Sequence, residues 1–173
     1  TAVVDLNWRF AVLQGNGRPG SIDTMVESGG TLYLGGDFEL ISGVGVPTAL
    51  RHAVAAVGTD GGLHGWAPAL DGPPGARLLR ALLSLGNTIY LGGEFTVVNG
   101  QFRLGLAAVD AVSSLLVQPP MVVLGETRIR GLATDGTRVF VAGESFGAPL
   151  VGAPEIPTSD LTPFQGRDGS VPT

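Results

Sequence analysis

Short, nearly continuous apolar runs punctuated by glycine pairs recur along this chain, and they recur in a fixed order. Thr31-Leu32-Tyr33-Leu34 leads into Gly35-Gly36-Asp37-Phe38, and 57 residues later Thr88-Ile89-Tyr90-Leu91 leads into Gly92-Gly93-Glu94-Phe95. Arg138-Val139-Phe140-Val141-Ala142-Gly143-Glu144-Ser145-Phe146 is a fainter third copy. Runs this short and this apolar fit strands buried on both faces better than helices. Gly29-Gly30 and Gly86-Asn87 precede the first two runs, where they supply the positive φ of hairpin turns. Leu78-Leu79-Arg80-Ala81-Leu82-Leu83 would pass for a helical turn in isolation, but its counterpart Ser21-Ile22-Asp23-Thr24-Met25-Val26 would not. The shared register therefore assigns both to strands.

The recurring unit opens at a tryptophan, Trp8 or Trp66, and passes through a Gly/Pro-rich turn into these two strands. After Phe38 or Phe95 a loop runs to an arginine, Arg51 or Arg103, and a third strand follows at Ala53–Val57 or Leu106–Val109. The first loop is longer around Val44 to Thr48, as a surface loop tolerates. A period near 50 residues built from short strands and glycine turns reads as a propeller blade. The expectation is an all-β chain of about three four-stranded antiparallel blades in an incomplete ring. Its units span about 8–65 and 66–117, with a partial one at 118–146, followed by a Pro/Gly-rich strap or tail at 147–173. Thr1-Ala2-Val3-Val4-Asp5 echoes Val54-Ala55-Ala56-Val57, so the chain is expected to begin and end within a unit.

Composition narrows the function classes. The chain has 173 residues, 44% hydrophobic and 14% charged, which is enough apolar material for a core. Its net charge is −5, and no basic block exists, which disfavours nucleic acid. No apolar run approaches a membrane-spanning length, so no membrane insertion is expected. With no cysteine, disulfides and Cys-ligated zinc are excluded.

Several literal motifs lose their catalytic meaning in this register. Gly15-Asn16-Gly17-Arg18-Pro19-Gly20 matches a dinucleotide fingerprint, but that needs a helix where a β segment is expected here. Gly143-Glu144-Ser145-Phe146-Gly147 matches a nucleophile elbow, yet His52 and His64 both lie upstream and prolines follow. The register-matched acids Asp37, Glu94 and Glu144 suggest either a calcium-binding ring or carboxylates that fix strand ends. Calcium needs six to eight oxygens, and the structural role is the one expected, with Arg51 or Arg103 as partner. Trp8 and Trp66, with Phe38, Phe95 and Phe146, read as core anchors; exposed on a rim, the two tryptophans would instead face a sugar.

The Leu/Ile-Tyr-Leu-Gly-Gly-acid-Phe strand, the following glycine, the arginine and the Ala-Ala strand together resemble the delta-60 repeat family of β-propellers, with kelch-like Gly-Gly blades. The likeness runs from about Trp8 to Val109, with a partial third copy to Phe146. It implies a secreted or cell-surface protein with no shared catalytic residues. The function expected is thus a non-catalytic structural or protein-interaction module, not an enzyme. Its partners would be further blades of the same protein or other chains. The alternative is a carbohydrate-binding module using Trp8 and Trp66, and the third class is a fragment of an enzyme. No catalytic, cofactor-binding or metal residue is assigned. The structural positions are Gly35, Gly36, Asp37, Phe38, Arg51, Gly92, Gly93, Glu94, Phe95, Arg103, Gly143 and Glu144.

Overall fold

The structure is a computed structural model and describes residues 10–43, 46–72, 78–117 and 126–146. Trp8 and the expected strap at 147–173 lie outside these. Every element is a strand: β1 (Phe10–Leu13), β2 (Ser21–Ser28), β3 (Thr31–Asp37), β4 (Leu40–Gly43), β5 (Val46–Leu50), β6 (Val54–Gly58), β7 (Leu70–Asp71), β8 (Leu78–Leu85), β9 (Thr88–Glu94), β10 (Val97–Val98), β11 (Gln101–Phe102), β12 (Leu106–Asp110), β13 (Glu126–Thr134) and β14 (Val139–Phe146). The helical alternative at Leu78–Leu83 is resolved in favour of β8, so the chain is all-β among the described residues.

The strands form several small antiparallel sheets. A first sheet has the order β2-β3-β6, a second β8-β9-β12, and a third contains β13-β14. Pairing coincides between the first two: Tyr33 opposes Val26 and Ala56, while Tyr90 opposes Leu83 and Ala108. The expectation of four-stranded units is not met. The stretch after each phenylalanine is a further hairpin, not a loop, and it pairs with the strand before the Gly/Pro turn. This makes two minor sheets, β1-β4-β5 and β7-β10-β11. The strands in question run from two to five residues. That is too short for alternation to mark them. Within the described part of the longer stretch, β5 has five residues where β11 has two.

The two glycines of each pair serve different contacts. The second lies opposite a β-bulge: register slips between Ile22 and Thr24, Leu79 and Ala81, and Ile129 and Gly131. Each bulge brings the bulged strand's backbone over the facing residue. A Cβ on Gly36, Gly93 or Gly143 would overlap the carbonyl oxygen of Ser21, Leu78 or Arg128. The first glycine faces the next sheet instead. A Cβ on Gly35 would enter the Leu79 side chain, and one on Gly92 the Ile129 side chain. Leu79 and Ile129 hold the same register position, so one contact joins the first sheet to the second and the second to the third.

Around these contacts the sheets pack face to face. Tyr33, Val54 and Ala56 of the first sheet share a core with Leu79, Leu82, Ile89, Leu91 and Val109 of the second. The minor sheet contributes Leu70 and Val98, and Phe95 and Trp66 complete the cluster. The other face of the first sheet covers Leu34, Ala55 and Val57 with Phe38, Ile41, Phe10 and Val12. Phe38 and Phe95 are thus core anchors, as expected; no side-chain description extends to Phe146.

One further backbone device recurs. Ala53 and Gly105, each just before the third strand, have φ of 63° and 71°. Their amides donate to the Phe38 and Phe95 carbonyls at 2.8 Å, and their carbonyls accept from Gly36 and Gly93 at 3.0 and 2.9 Å. A left-handed residue at this point turns the chain back onto the Gly-Gly-acid-Phe segment and clamps it. Gly93→Ala should lower stability by about 3 kcal/mol, because its methyl meets immovable backbone. Gly30→Ala has open space and only an unfavourable φ, and should cost about 1 kcal/mol. Urea midpoints at unchanged m-value would check this ranking.

Candidate functional site

Two features bring polar chemistry together: a charged ladder along one rim of the stacked sheets, and a cavity where the hairpin turns of the first two sheets meet.

The ladder is built by the bulges. Asp23, Arg80 and Arg130 are the unpaired bulge residues of the three sheets. A bulge re-aims its side chain, and here all three reach the rim. Arg80 Nη1 lies 2.5 Å from Asp23 Oδ2, and its Nε is 3.7 Å from Glu94. Arg128 lies 3.4 Å from Glu94 and 3.9 Å from Glu144, and Arg130 is 3.0 Å from Glu144. Acids and arginines alternate across the three sheets. Glu94 and Glu144, matched in the sequence, therefore do belong to one structure. Their neighbours are guanidinium groups rather than a cluster of further carboxylates. Among the described residues no group of three or more His, Asp or Glu side chains is placed to hold a metal ion.

The expected pairing of these acids with Arg51 and Arg103 is not what forms. Arg51 donates to the carbonyls of Leu50 and His64 at 2.8 and 2.9 Å. Arg103, which is buried, donates to the Phe102 carbonyl at 2.8 Å and to Gln101 Oε1 at 3.3 Å. Arg51 thus ties the β5 end to the loop at His64, while Arg103 is held within its own hairpin at β11. The Asp37 carboxylate makes no hydrogen bond or ion pair among the described residues. The reason is geometric: the bulge supplies a cation, Arg80 or Arg130, to Glu94 and Glu144, whereas the bulge residue of the first sheet is itself an acid, Asp23. Recurrence of charge at 23, 80 and 130 is the signal that sequence matching passed over.

The cavity has a volume of about 540 Å³ and is lined by Ser28, Thr31, Tyr33, His64, Trp66 and Asn87, among others. Its polar groups are largely committed to structure. Tyr33 OH donates to the Ala111 carbonyl at 2.9 Å, and Trp66 Nε1 to the Asp110 carbonyl at 2.9 Å. The two rings meet edge to face, with centroids 4.8 Å apart. Burial raises the Tyr33 phenol above its ordinary value; the Thr31 hydrogen bond opposes this and the Asp110 charge adds to it. The Asp110 carboxylate accepts from Ser113 N and Oγ, Val112 N and Asn87, which hold it below the usual carboxylate range. First and second sheets are thus cross-linked by hydrogen bonds at this end.

Trp66 borders the cavity but is only 4% exposed. With its ring packed on Tyr33 and its N–H already used, it has no open face for a sugar. The expectation that it could be ligand-facing gives way to its other reading, a core anchor. Trp8 lies outside the described residues. The Gly15–Gly20 motif is a turn closed by Gln14 N to Arg18 O at 2.8 Å, and β2 follows it rather than a helix. Gly143 to Phe146 lie within β14, so no strand-to-helix elbow forms at Ser145.

Comparisons with protein-family models, with curated proteins and with solved structures find no match for this chain.

The ladder and the acidic turn caps can be tested separately. Asp23→Ala with Arg80→Ala should show a coupling of about 0.5 kcal/mol that shrinks in high salt, because both groups are partly exposed. Asp37→Ala with Arg51→Ala should be additive within about 0.3 kcal/mol in the same double-mutant cycle. Asp135 is held down to about 2 by the amides and side chain of Thr137 and Arg138. A carboxyl depressed in the folded state adds stability above its ordinary pKa and loses it as pH falls through the folded value. The thermal midpoint should therefore drop between about pH 4 and pH 2, and Asp135→Asn should flatten that drop.

Proposed function

We propose that the chain is a non-catalytic structural or protein-interaction module: about three blades of a β-propeller-type array, part of a larger propeller or assembly. The observation that carries this is the identical join between successive sheets, Gly35 against Leu79 and Gly92 against Ile129. A sheet built to receive its neighbour in this way is one element of a series, and its stability depends on that neighbour. The resemblance to delta-60 repeats adds a secreted or cell-surface setting, which rests on that resemblance alone. Further support comes from where the polar groups go. Tyr33, Trp66, Asp110, Arg51 and Arg103 spend their hydrogen bonds on backbone and on one another. Such an arrangement supports a shape-holding role over a catalytic one.

An array of this kind should unfold as one cooperative unit. Leu79→Ala and Ile129→Ala, although in different sheets, should each lower the same urea transition by about 3 kcal/mol, seen equally by far-UV circular dichroism and, with Trp8→Phe in the background, by Trp66 fluorescence. Separate transitions for the sheets would count against the reading. Trp66 emission should be blue-shifted and unmoved by added mono- and oligosaccharides; a saturable spectral change would favour the carbohydrate alternative.

A further inference from the structure

Among the described residues, the outer faces of the first and third sheets are only partly covered where the internal joins bury the matching positions; on the first sheet Phe38, Ile41, Phe10 and Val12 cover Leu34, Ala55 and Val57 but not the whole face. On the outer face of the first sheet Met25 is 59% exposed, whereas Leu82, at the same register position in the second sheet, is 8% exposed and packed against the first. Ile22 and Leu32 are likewise only half-buried there, while their counterparts Leu79, Ile129, Ile89 and Val139 are buried. The outer face of the third sheet shows the reverse surface. Phe140 is half-buried where Tyr33 is buried, and Ala133 and Ala142 are exposed. The methyl-free position is shifted rather than lost: Ala142 stands where the first two sheets have Gly35 and Gly92, and Gly131 lies opposite it. Ala81 opposes Gly92 in the second sheet and Gly131 opposes Ala142 in the third, so each pair carries a single methyl.

The charges complete the match. The rim ladder begins with an acid, Asp23, and ends with a cation, Arg130. Both are bulge residues, and the bulge residues of the first two sheets, Asp23 and Arg80, already pair across their join. A third sheet followed by another first sheet would set Arg130 beside Asp23, and the alternation would continue unbroken.

We propose that a second copy of this chain docks the outer face of its first sheet onto the outer face of the third sheet. Ile22 and Met25 of one copy enter the Phe140–Ala142 surface of the other, and Arg130 faces Asp23. The contact is head to tail and heterologous, so it propagates to a ring or a filament rather than closing as a two-fold dimer. It rests on the array reading above and names the partner that reading leaves open.

The chain has no cysteine, which makes a cross-linking test clean. Sedimentation of the whole chain up to about 100 micromolar should show concentration-dependent assembly. Met25→Asp should weaken it about tenfold with no change in the urea midpoint, and Met25→Leu should retain it. A short bismaleimide should join Asp23→Cys to Arg130→Cys in a mixture, and neither variant to itself. A monomer throughout that range with its single unfolding transition intact overturns the proposal and leaves the array reading standing. Equal cross-linking of like and unlike variants also overturns it. Separate transitions for the sheets would remove both.

Discussion

The contact on which the rest of this structure depends is a branched side chain of one sheet seated where its neighbour has a glycine in place of a side chain. Small sheets of two or three short strands cannot bury their faces alone. Close approach of the next sheet is what gives Tyr33, Val54 and Ala56 a dry environment, and the missing Cβ at Gly35 and Gly92 permits that approach. The second glycine of each pair serves the sheet itself. It admits the bulge, and the bulge in turn directs Asp23, Arg80 and Arg130 to the rim. One dipeptide therefore sets both the spacing of the sheets and the ladder that runs along them.

The third sheet separates these two roles. It keeps Gly143 opposite its bulge but has Ala142 where the other two have glycine. The bulge is internal to the sheet, so its glycine is required whatever lies outside. The other glycine answers to a neighbouring sheet, and there a methyl has moved across the strand pair from position 131 to 142. An argument from the Gly-Gly pair as a single motif would miss that its halves answer to different constraints.

Much of the principal architecture was legible in the sequence. The long strands β3, β8 and β9 are rich in apolar residues, the first two sheets match over 57 residues, and turns such as Gly29-Gly30 that need positive φ flank them. The minor sheets were not legible, because β7, β10 and β11 have two residues each and no period can be read from two positions. The acids Glu94 and Glu144 were found, but with the wrong cations. Sequence spacing put Arg51 and Arg103 nearest in register, whereas the bulges and the sheet stacking supplied Arg80, Arg128 and Arg130. Partner choice at a bulge depends on a local twist that linear spacing does not encode. The burial of Trp66 could be settled only by the position of Tyr33.

The choice of arginine over lysine at the described rim positions suits the same geometry. Arg80 lies between Asp23 and Glu94, and Arg128 between Glu94 and Glu144, each spanning acids from different strands. Arg51 and Arg103 each reach two acceptors with the two arms of one guanidinium. A planar fork with fixed donor directions can bridge two acceptors on separate strands while its stem stays packed; an ammonium is a compact point charge that draws water instead. Arg80 and Arg128 serve as cross-braces between strands more than as sources of charge. A lysine there would keep the net charge of the chain and lose the brace, so charge balance alone does not account for the choice of arginine.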